Sequence, residues 1–104
     1  MVMRVEWTEH ANRSLEFIFT CAQEYYPRTL LRKLNRELKR TEHLVANHPR
    51  MGGVEYLAEG RDYEYRNIVL CKPFKLIYFI AEDTVFIADI WDTRREPNAL
   101  LRNL

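Results

Sequence analysis

The sequence is poor in cysteine. Among its 104 residues only Cys21 and Cys71 carry thiols, and no CxxC pair occurs in the chain. Zinc sites are built from clustered ligands, so two isolated cysteines do not make one. Both residues are expected to be packed free thiols, and the protein is expected to bind neither a metal ion nor a cofactor.

Long apolar runs are also missing. No stretch approaches the roughly 20 apolar residues that a membrane-spanning helix needs, and the opening MVMRVEWTEH lacks the apolar centre of a signal peptide. Hydrophobic residues make up 47% of the chain and charged residues 30%, which suits one core with a charged surface. We expect a single domain over residues 1–104 that is cytoplasmic and has no membrane partner.

A strong excess of positive charge, typical of dedicated nucleic-acid binders, is absent as well. The chain carries 16 Lys and Arg against 15 Asp and Glu, for a net charge of +1. This balance counts against broad electrostatic binding of RNA or DNA but leaves room for a local basic patch. The row Arg32, Arg36 and Arg40 is either a solvated helix face, which is favoured, or a guide for a nucleic acid or an acidic partner.

The first half of the chain predicts one strand and two helices. The alternating VMRVEW, residues 2–7, predicts a short strand. Thr8 follows in an N-cap position, and apolar residues at helical spacing continue toward Pro27, before which a helix must end. A second helix with one leucine-rich stripe is predicted from about Arg28 to about Asn47.

The second half of the chain predicts an antiparallel sheet. After the break HPRMGG, three strands are predicted at 63–71, 74–81 and 84–92, joined by the turns Lys72-Pro73 and Glu82-Asp83. The stretch 54–57 adds a short fourth strand. The predicted fold is therefore α+β: an N-terminal strand, two helices and an antiparallel meander of three to four strands, with the helices on one face.

Both faces of this predicted sheet are mostly apolar. With two-residue turns, one face carries Arg66, Ile68, Leu70, Lys75, Ile77, Phe79, Phe86 and Ile90. The other carries Leu76, Tyr78, Ile80, Val85, Ile87 and Trp91. Because two helices cover only one face, a partner chain, a second copy or the C-terminal tail is expected to cover the other. A single β-bulge would exchange the two faces.

Polar residues that interrupt the strands allow a metal-free ribonuclease. Such an enzyme needs a base for the 2′-hydroxyl group, cations for the phosphorane and an acid for the leaving oxygen. Glu55 is the candidate base. The candidate phosphate-binding cations are Arg66, Lys75 and either Arg94 or Arg95.

The competing interpretation of the same residues is structural. Arg66 pairs with Glu64 or with a partner, Lys75 simply follows a turn, and Asp92 opens a turn at the end of the last strand. Residues 92–96, DTRRE, contain no histidine or tyrosine that could act as the acid. Taken one by one, these residues favour the structural interpretation.

Taken in order, several segments resemble the RelE/ParE toxins of bacterial type II toxin–antitoxin systems. VEWTEHANRSLEFIF resembles their opening strand and first helix, and HPRMGGVEYL resembles their P..G.E.L loop. YEYRNIVLCKPFKLIYFIAEDTVFIADIWDTRREP resembles their Y.YR strand, their..LIY.I strand and a last strand ending in D.RR.P. The resemblance covers nearly the whole chain.

This resemblance implies a small plasmid-stabilisation-type toxin that inhibits growth. By the same resemblance, a cognate antitoxin is expected to neutralise the toxin by wrapping a C-terminal segment across its helices and sheet. Operator DNA is expected to be bound only through the antitoxin, and a homodimer is an expected alternative when the antitoxin is absent.

The resemblance implies two mechanisms. ParE-like members poison DNA gyrase, whereas RelE-like members cleave mRNA on the ribosome, with positions that correspond here to Glu55, Arg66, Lys75 and Arg95. The tyrosine or His-Tyr pair that ends those ribonucleases is missing from EPNALLRNL. Gyrase poisoning is therefore favoured, with the ribonuclease and a degenerate, antitoxin-binding module as alternatives. Residues predicted to bind the target or the antitoxin are Arg66, Phe79, Phe86, Trp91, Arg94 and Arg95.

Overall fold

A computed structural model of the chain describes residues 2–20, 24–95 and 104. Two helices, α1 and α2, follow the first of five strands, and a single 3₁₀ turn separates the second strand from the third. The elements are β1 (Arg4–Trp7), α1 (Glu9–Thr20), α2 (Arg28–Asn47), β2 (Gly53–Val54), the 3₁₀ turn (Tyr56–Ala58), β3 (Arg66–Cys71), β4 (Phe74–Ala81) and β5 (Thr84–Asp92).

The two helices begin where their sequence signals predict. The backbone N–H of Ala11 donates to Oγ1 of Thr8 over 3.1 Å, which confirms Thr8 as the N-cap of α1. In α2 the inner stripe is buried, as predicted from its spacing, and it comprises Leu31, Leu34, Leu38 and Val45. Cys21, one of the two predicted free thiols, lies outside the described residues.

The five strands form one mixed sheet in the order β1-β5-β4-β3-β2. Strands β2 to β5 are an antiparallel meander, and both helices pack on one face of it, so the predicted α+β fold is confirmed. Strand β1 lies parallel to β5, with Arg4 opposite Thr84. The sequence did not indicate this pairing, because nothing local links two strands at opposite ends of the chain.

Both predicted turns are present, but some strand bounds differ. Cys71 lies opposite Phe74, and Ala81 lies opposite Thr84, so each turn has two residues. Strand β3 starts at Arg66 rather than at residue 63, and the predicted strand 54–57 is divided between β2 and the 3₁₀ turn.

Two β-bulges show that the predicted sheet faces were wrong for β3 and for the end of β5. Leu70 is the extra residue in β3, and Ala88 is the extra residue in β5. A bulge turns the residues beyond it to the opposite face. Arg66 therefore lies beside Tyr78 on the helix-covered face. Ile68 and Leu70 join that face and Ile90 moves to it, while Trp91 moves away from it.

The main core lies between the helices and the sheet. Helix residues Ala11, Leu34 and Val45 are fully buried there, together with the sheet residues Phe74, Leu76, Tyr78, Val85, Ile87 and Ile90. Cys71 joins this core as a buried free thiol, and burial raises the pKa of that thiol. Cys71 is thus a packing residue, as predicted.

The face away from the helices carries a second, smaller apolar cluster. Its buried members are Ala58, Tyr65, Ile77, Ala88 and Trp91. Phe79 and Leu104 pack against it. The chain itself therefore covers part of the second face, through the segment 55–65 and through Leu104.

The loop between α2 and β2 is fastened to the sheet by Tyr78. The Tyr78 hydroxyl donates to the carbonyl oxygen of Pro49 over 2.7 Å and accepts from the Gly52 N–H over 3.0 Å. This places the Gly52 backbone against the tyrosine, where a Cβ atom would lie 2.7 Å from the Asn67 carbonyl oxygen and 2.8 Å from the Tyr78 hydroxyl oxygen. Glycine is required here by close approach.

The neighbouring glycines give a matched pair of variants. We expect Gly52→Ala to lower the free energy of unfolding by about 1–3 kcal/mol, because the added methyl group overpacks a fixed site. Gly53→Ala meets no atom within 4 Å and is expected to change stability by less than about 0.5 kcal/mol. Urea denaturation of both variants checks this, and equal midpoints would contradict the close approach.

Candidate functional site

The basic end of β5 is organised around Asp92. The Arg94 guanidinium forms a fork on the Asp92 carboxylate, with Nε donating to Oδ1 over 3.1 Å and Nη2 donating to Oδ2 over 2.8 Å. The Arg94 N–H also donates to Oδ1 over 2.9 Å, which is the turn predicted for Asp92. The Tyr26 hydroxyl donates to Oδ2 over 2.5 Å. Arg94 is therefore held by its own chain.

The protonation of Asp92 reflects these contacts. Burial by itself would raise the pKa of the Asp92 carboxyl, but hydrogen bonds from Arg94 and Tyr26 outweigh burial and hold that pKa below its ordinary value. Burial and the bond to Asp92 raise the pKa of Tyr26. Asp92 is consequently an anion with both oxygens occupied.

Arg95 is the cation that this network leaves available. Its guanidinium carbon lies 4.8 Å from the centroid of the Trp91 ring, within the range of a cation–π contact. No carboxylate in the part of the chain that the structure describes pairs with it. Trp91 in turn lies opposite Lys75 in the sheet.

Glu55 and Lys75 form a buried ion pair. Lys75 Nζ donates to Glu55 Oε1. The Lys75 side chain is 15% exposed and the Glu55 side chain is 5% exposed. The other oxygen of Glu55 accepts from the N–H of Leu57 over 3.3 Å, so Glu55 also caps the 3₁₀ turn. Both carboxylate oxygens of the candidate base are thus engaged within the protein.

Arg66 is used to hold the loop before β2. Its Nη1 donates to the carbonyl oxygen of Gly52 over 2.7 Å, and its Nη2 pairs with Glu64 over 2.8 Å. The predicted pairing with Glu64 is therefore confirmed. Arg66 lies opposite Tyr78, on the helix-covered face.

Of the predicted catalytic residues, the sheet brings three into one row and separates the fourth. Glu55 contacts Lys75, and Lys75 lies opposite Trp91. The Arg95 guanidinium lies over the Trp91 ring. Arg66 is on the other face. The catalytic roles themselves stay predictions.

A strip of stacked aromatic rings continues along the same face as Trp91. The Tyr63 and Phe79 rings stack with centroids 4.2 Å apart, and Phe79 stacks on Phe86 at 5.2 Å. Tyr65 meets the edge of Phe79 at 5.3 Å. The predicted binding residues Phe79, Phe86 and Trp91 thus share one face, where the sequence had placed Trp91 on the other.

The outer face of α2 is strongly basic. Its exposed cations are Arg28, Arg32, Lys33, Arg36, Lys39 and Arg40. Among the described residues only Arg40 has a carboxylate partner, Glu37 at 3.4 Å. Exposure agrees with a solvated face, and the alternative role as a guide for a nucleic acid or an acidic partner stays a prediction.

Two residues near the end of β5 were not singled out by the sequence analysis. Tyr26 binds Asp92, and His10 of α1 lies 3.3 Å from Asp89. Neither partner is signalled locally, because each pair is far apart in the sequence. The available signal was the presence of two aspartates inside an apolar strand, since buried carboxylates require partners.

The described residues suggest neither a metal centre nor a membrane span. Within residues 2–20, 24–95 and 104, no group of three or more His, Cys, Asp or Glu side chains is placed to hold a metal ion. No helix in that part of the chain combines the length and the apolar character needed to cross a membrane.

The chain is similar to known toxins over most of its length. A family model described as "ParE toxin of type II toxin-antitoxin system, parDE" matches residues 5–97. No curated protein matches the sequence.

Solved structures share the fold. One is titled as the chromosomal ParDE toxin–antitoxin system from P. aeruginosa, with a TM-score of 0.63 and 16% identity, covering 86% of this chain and 94% of that chain. Another is the YoeB dimer from Staphylococcus aureus, with a TM-score of 0.57 and 11% identity, covering 86% of this chain and 95% of that chain. At these identities the likeness concerns the fold alone.

Proposed function

The chain belongs to the ParE toxin family of type II toxin–antitoxin systems, and we propose that it arrests bacterial growth by binding DNA gyrase until a cognate antitoxin neutralises it. The action is binding rather than hydrolysis. The observation that carries this choice is the buried ion pair between Glu55 and Lys75.

A general base must be free to take a proton from its substrate. Glu55 is 5% exposed, one oxygen is bound by Lys75, and the other is bound by the Leu57 N–H. Using it as a base would break a buried ion pair and a helix cap together. A structural role for Glu55 therefore accounts for its contacts better than a catalytic one.

The cations are equally ill placed for phosphoryl chemistry. Stabilisation of a phosphorane requires several cations around one phosphate. Lys75 is neutralised by Glu55, Arg94 by Asp92, and Arg66 is directed to the loop on the opposite face. Arg95 is the remaining cation of the predicted set.

Protein binding, by contrast, suits the face that carries Trp91. Arginine is often a dominant residue in protein interfaces, and the buried Trp91 ring supports the exposed Arg95 guanidinium at the end of β5. The stacked rings of Phe79 and Phe86 extend the same face. This surface is the proposed contact for gyrase or for the antitoxin.

Induced expression in a bacterial host without an antitoxin is expected to stop growth. Gyrase-trapped DNA breaks and ribosome-dependent mRNA cleavage are scored in the same cells. Broken DNA with intact mRNA supports the proposal, whereas cleaved mRNA with intact DNA would establish the ribonuclease. Normal growth at verified protein levels would contradict toxicity itself and leave antitoxin binding as the activity.

A pair of arginine variants tests the surface. Arg95→Gln is expected to reduce toxicity at least about tenfold, measured as the inducer level that stops growth, because hot-spot truncations cost about 2 kcal/mol or more. Arg4→Gln removes the same charge from an exposed pair with Glu6 and is expected to leave toxicity unchanged. Equal toxicity of Arg95→Gln and the wild type would exclude Arg95 from the target contact.

A further inference from the structure

Asp89 is a buried carboxylate without a hydrogen-bond donor. The residue is 1% exposed, and neither of its side-chain oxygens has a hydrogen-bond partner among the described residues. Buried carboxylates are costly unless they are compensated, so such a group calls for an explanation. The basic group at hand is His10, whose Nε2 lies 3.3 Å from Asp89 Oδ2.

His10 connects this buried carboxylate to the surface. Its side chain is 27% exposed, and it lines a cleft between α1 and the end of β5. An imidazole that carries a proton on both nitrogens places its positive charge beside Asp89 and leaves the Nδ1–H to donate to an anion. The Ser14 hydroxyl lies 3.3 Å from the same Nε2. Serine and aspartate thus meet one nitrogen, which is not the arrangement of a nucleophilic triad.

The cleft has the size of a ligand site. Its volume is about 490 Å³, within the usual range for small-molecule pockets. Basic, polar and apolar side chains all contribute to its wall, which is lined by His10, Arg13, Ser14, Phe17, Ile18, Tyr26, Ile90, Asp92 and Arg95.

The charges that line the cleft favour an anion. Arg95 has no carboxylate partner among the described residues, and Arg13 is bound to Glu9 at 2.7 Å on the exposed helix surface, where such pairs are weak and easily exchanged. Asp92 is the acidic residue in the lining, and its oxygens are already occupied by Arg94 and Tyr26. A bound anion would therefore meet three basic groups and one neutralised carboxylate.

The geometry points to this cleft as a binding site for a phosphate group. His10, Arg13 and Arg95 bind the phosphate, and Asp89 orients the imidazole ring of His10. One arginine fork satisfies a planar carboxylate. Three basic groups from two elements suit a tetrahedral phosphate, which offers acceptor oxygens in several directions. The phosphate can belong to free phosphate, to a nucleotide or to a nucleic-acid strand.

Phe17 distinguishes these sources. It lines the cleft and is 58% exposed, which makes it a platform on which a base can stack. A nucleotide would use both the basic groups and this ring, whereas inorganic phosphate would use the basic groups alone.

The test uses the imidazole resonances of the purified protein. His43 and His48 are exposed residues at the far end of α2 and its following loop, so they act as internal controls. Titration with inorganic phosphate is expected to shift the His10 resonances while His43 and His48 stay unchanged. Equal shifts at all three histidines, or no shift at His10, would overturn the site.

Variants assign the contacts. His10→Gln, Arg13→Gln and Arg95→Gln are each expected to weaken phosphate binding about tenfold, because each removes a charge-assisted hydrogen bond. Arg32→Gln removes one charge from the exposed face of α2 and is expected to have no effect. Equal weakening by Arg32→Gln would mean general electrostatic attraction and would refute a specific cleft.

Comparing the affinities of different phosphate compounds then identifies the source of the phosphate. A mononucleotide or a short single-stranded oligonucleotide that binds more tightly than inorganic phosphate, and loses that advantage in Phe17→Ala, supports a nucleotide ligand. Equal affinities with no effect of Phe17→Ala support the phosphate group alone. An acidic peptide that shifts His10 when phosphate compounds do not would overturn the proposal.

Asp89 is a positioning residue in this scheme, and Asp89→Asn tests it while keeping the side-chain volume. With phosphate bound, the wild-type His10 is expected to show the nitrogen-15 shifts of a ring protonated on both nitrogens, and the variant is expected to show a neutral ring. The same protonation in both proteins would remove Asp89 from the site. Growth arrest does not enter these measurements, so this inference stands apart from the gyrase proposal.

Discussion

Replacing Lys75 by methionine is expected to lower the free energy of unfolding by about 3–5 kcal/mol. The double variant Lys75→Met/Glu55→Leu is expected to recover most of that loss. The large effect of the single change comes from Glu55, which would stay buried with its charge uncompensated.

The physical reason lies in the balance between desolvation and attraction. Removing two charges from water costs several kcal/mol per ion, and their mutual attraction in a protein interior roughly repays this cost. When one partner is deleted, the cost stays and the attraction is lost. When both are replaced by apolar side chains of similar size, the cost and the attraction vanish together.

Urea denaturation of the wild type, both single variants and the double variant forms a thermodynamic cycle for this pair. Arg4→Gln, which breaks the exposed pair with Glu6, serves as the control and is expected to cost less than about 1 kcal/mol. Additive effects of the two single changes would show that the Glu55–Lys75 pair does not contribute as a unit.

Asp92→Asn is expected to lower the free energy of unfolding by about 2–3 kcal/mol at neutral pH, because hydrogen bonds to a charged acceptor are among the stronger ones. The variant loses the ionic character of the bonds from Tyr26 and Arg94. Asp62→Asn makes the same chemical change at an exposed loop position and is expected to be close to neutral.

The effect of Asp92→Asn should depend on pH in one direction. The folded protein holds the pKa of Asp92 below its ordinary value of 3.8, so the unfolded chain takes up the proton first as pH falls. The stabilisation is thus complete above about pH 4 and is lost as pH falls through the lowered pKa. Denaturation at neutral pH and at pH values below 4 should show the gap between wild type and Asp92→Asn narrowing. A constant gap would contradict the ionised state of Asp92.

The elements that sequence reasoning predicted are those with local causes. Thr8 caps α1 because its hydroxyl meets an N–H three residues later, and the turns at 72–73 and 82–83 follow from turn residues between apolar runs. The Asp92 turn is equally local. Each of these can be read within a short window of sequence.

The features that escaped prediction depend on distant residues. The extra residues Leu70 and Ala88 are apolar like their neighbours, so no composition signal marks the two bulges that exchange the sheet faces. The pairing of Glu55 with Lys75, and the contacts of His10 and Tyr26 with β5, arise only once the sheet and helices are assembled. The sequence indicated Glu64 as a partner of Arg66, but it did not indicate the partners of Glu55, Lys75 and Asp92.

The parallel pairing of β1 with β5 also governs the order in which the protein can assemble. Thr8, at the end of β1, contacts the backbone of Ala88, 80 residues later. During translation β1 and α1 emerge well before the strand on which they close. Contacts of such separation slow folding. The sheet is therefore completed only after β5 has been made, so a nascent or truncated chain that lacks β5 has no finished sheet with which to act.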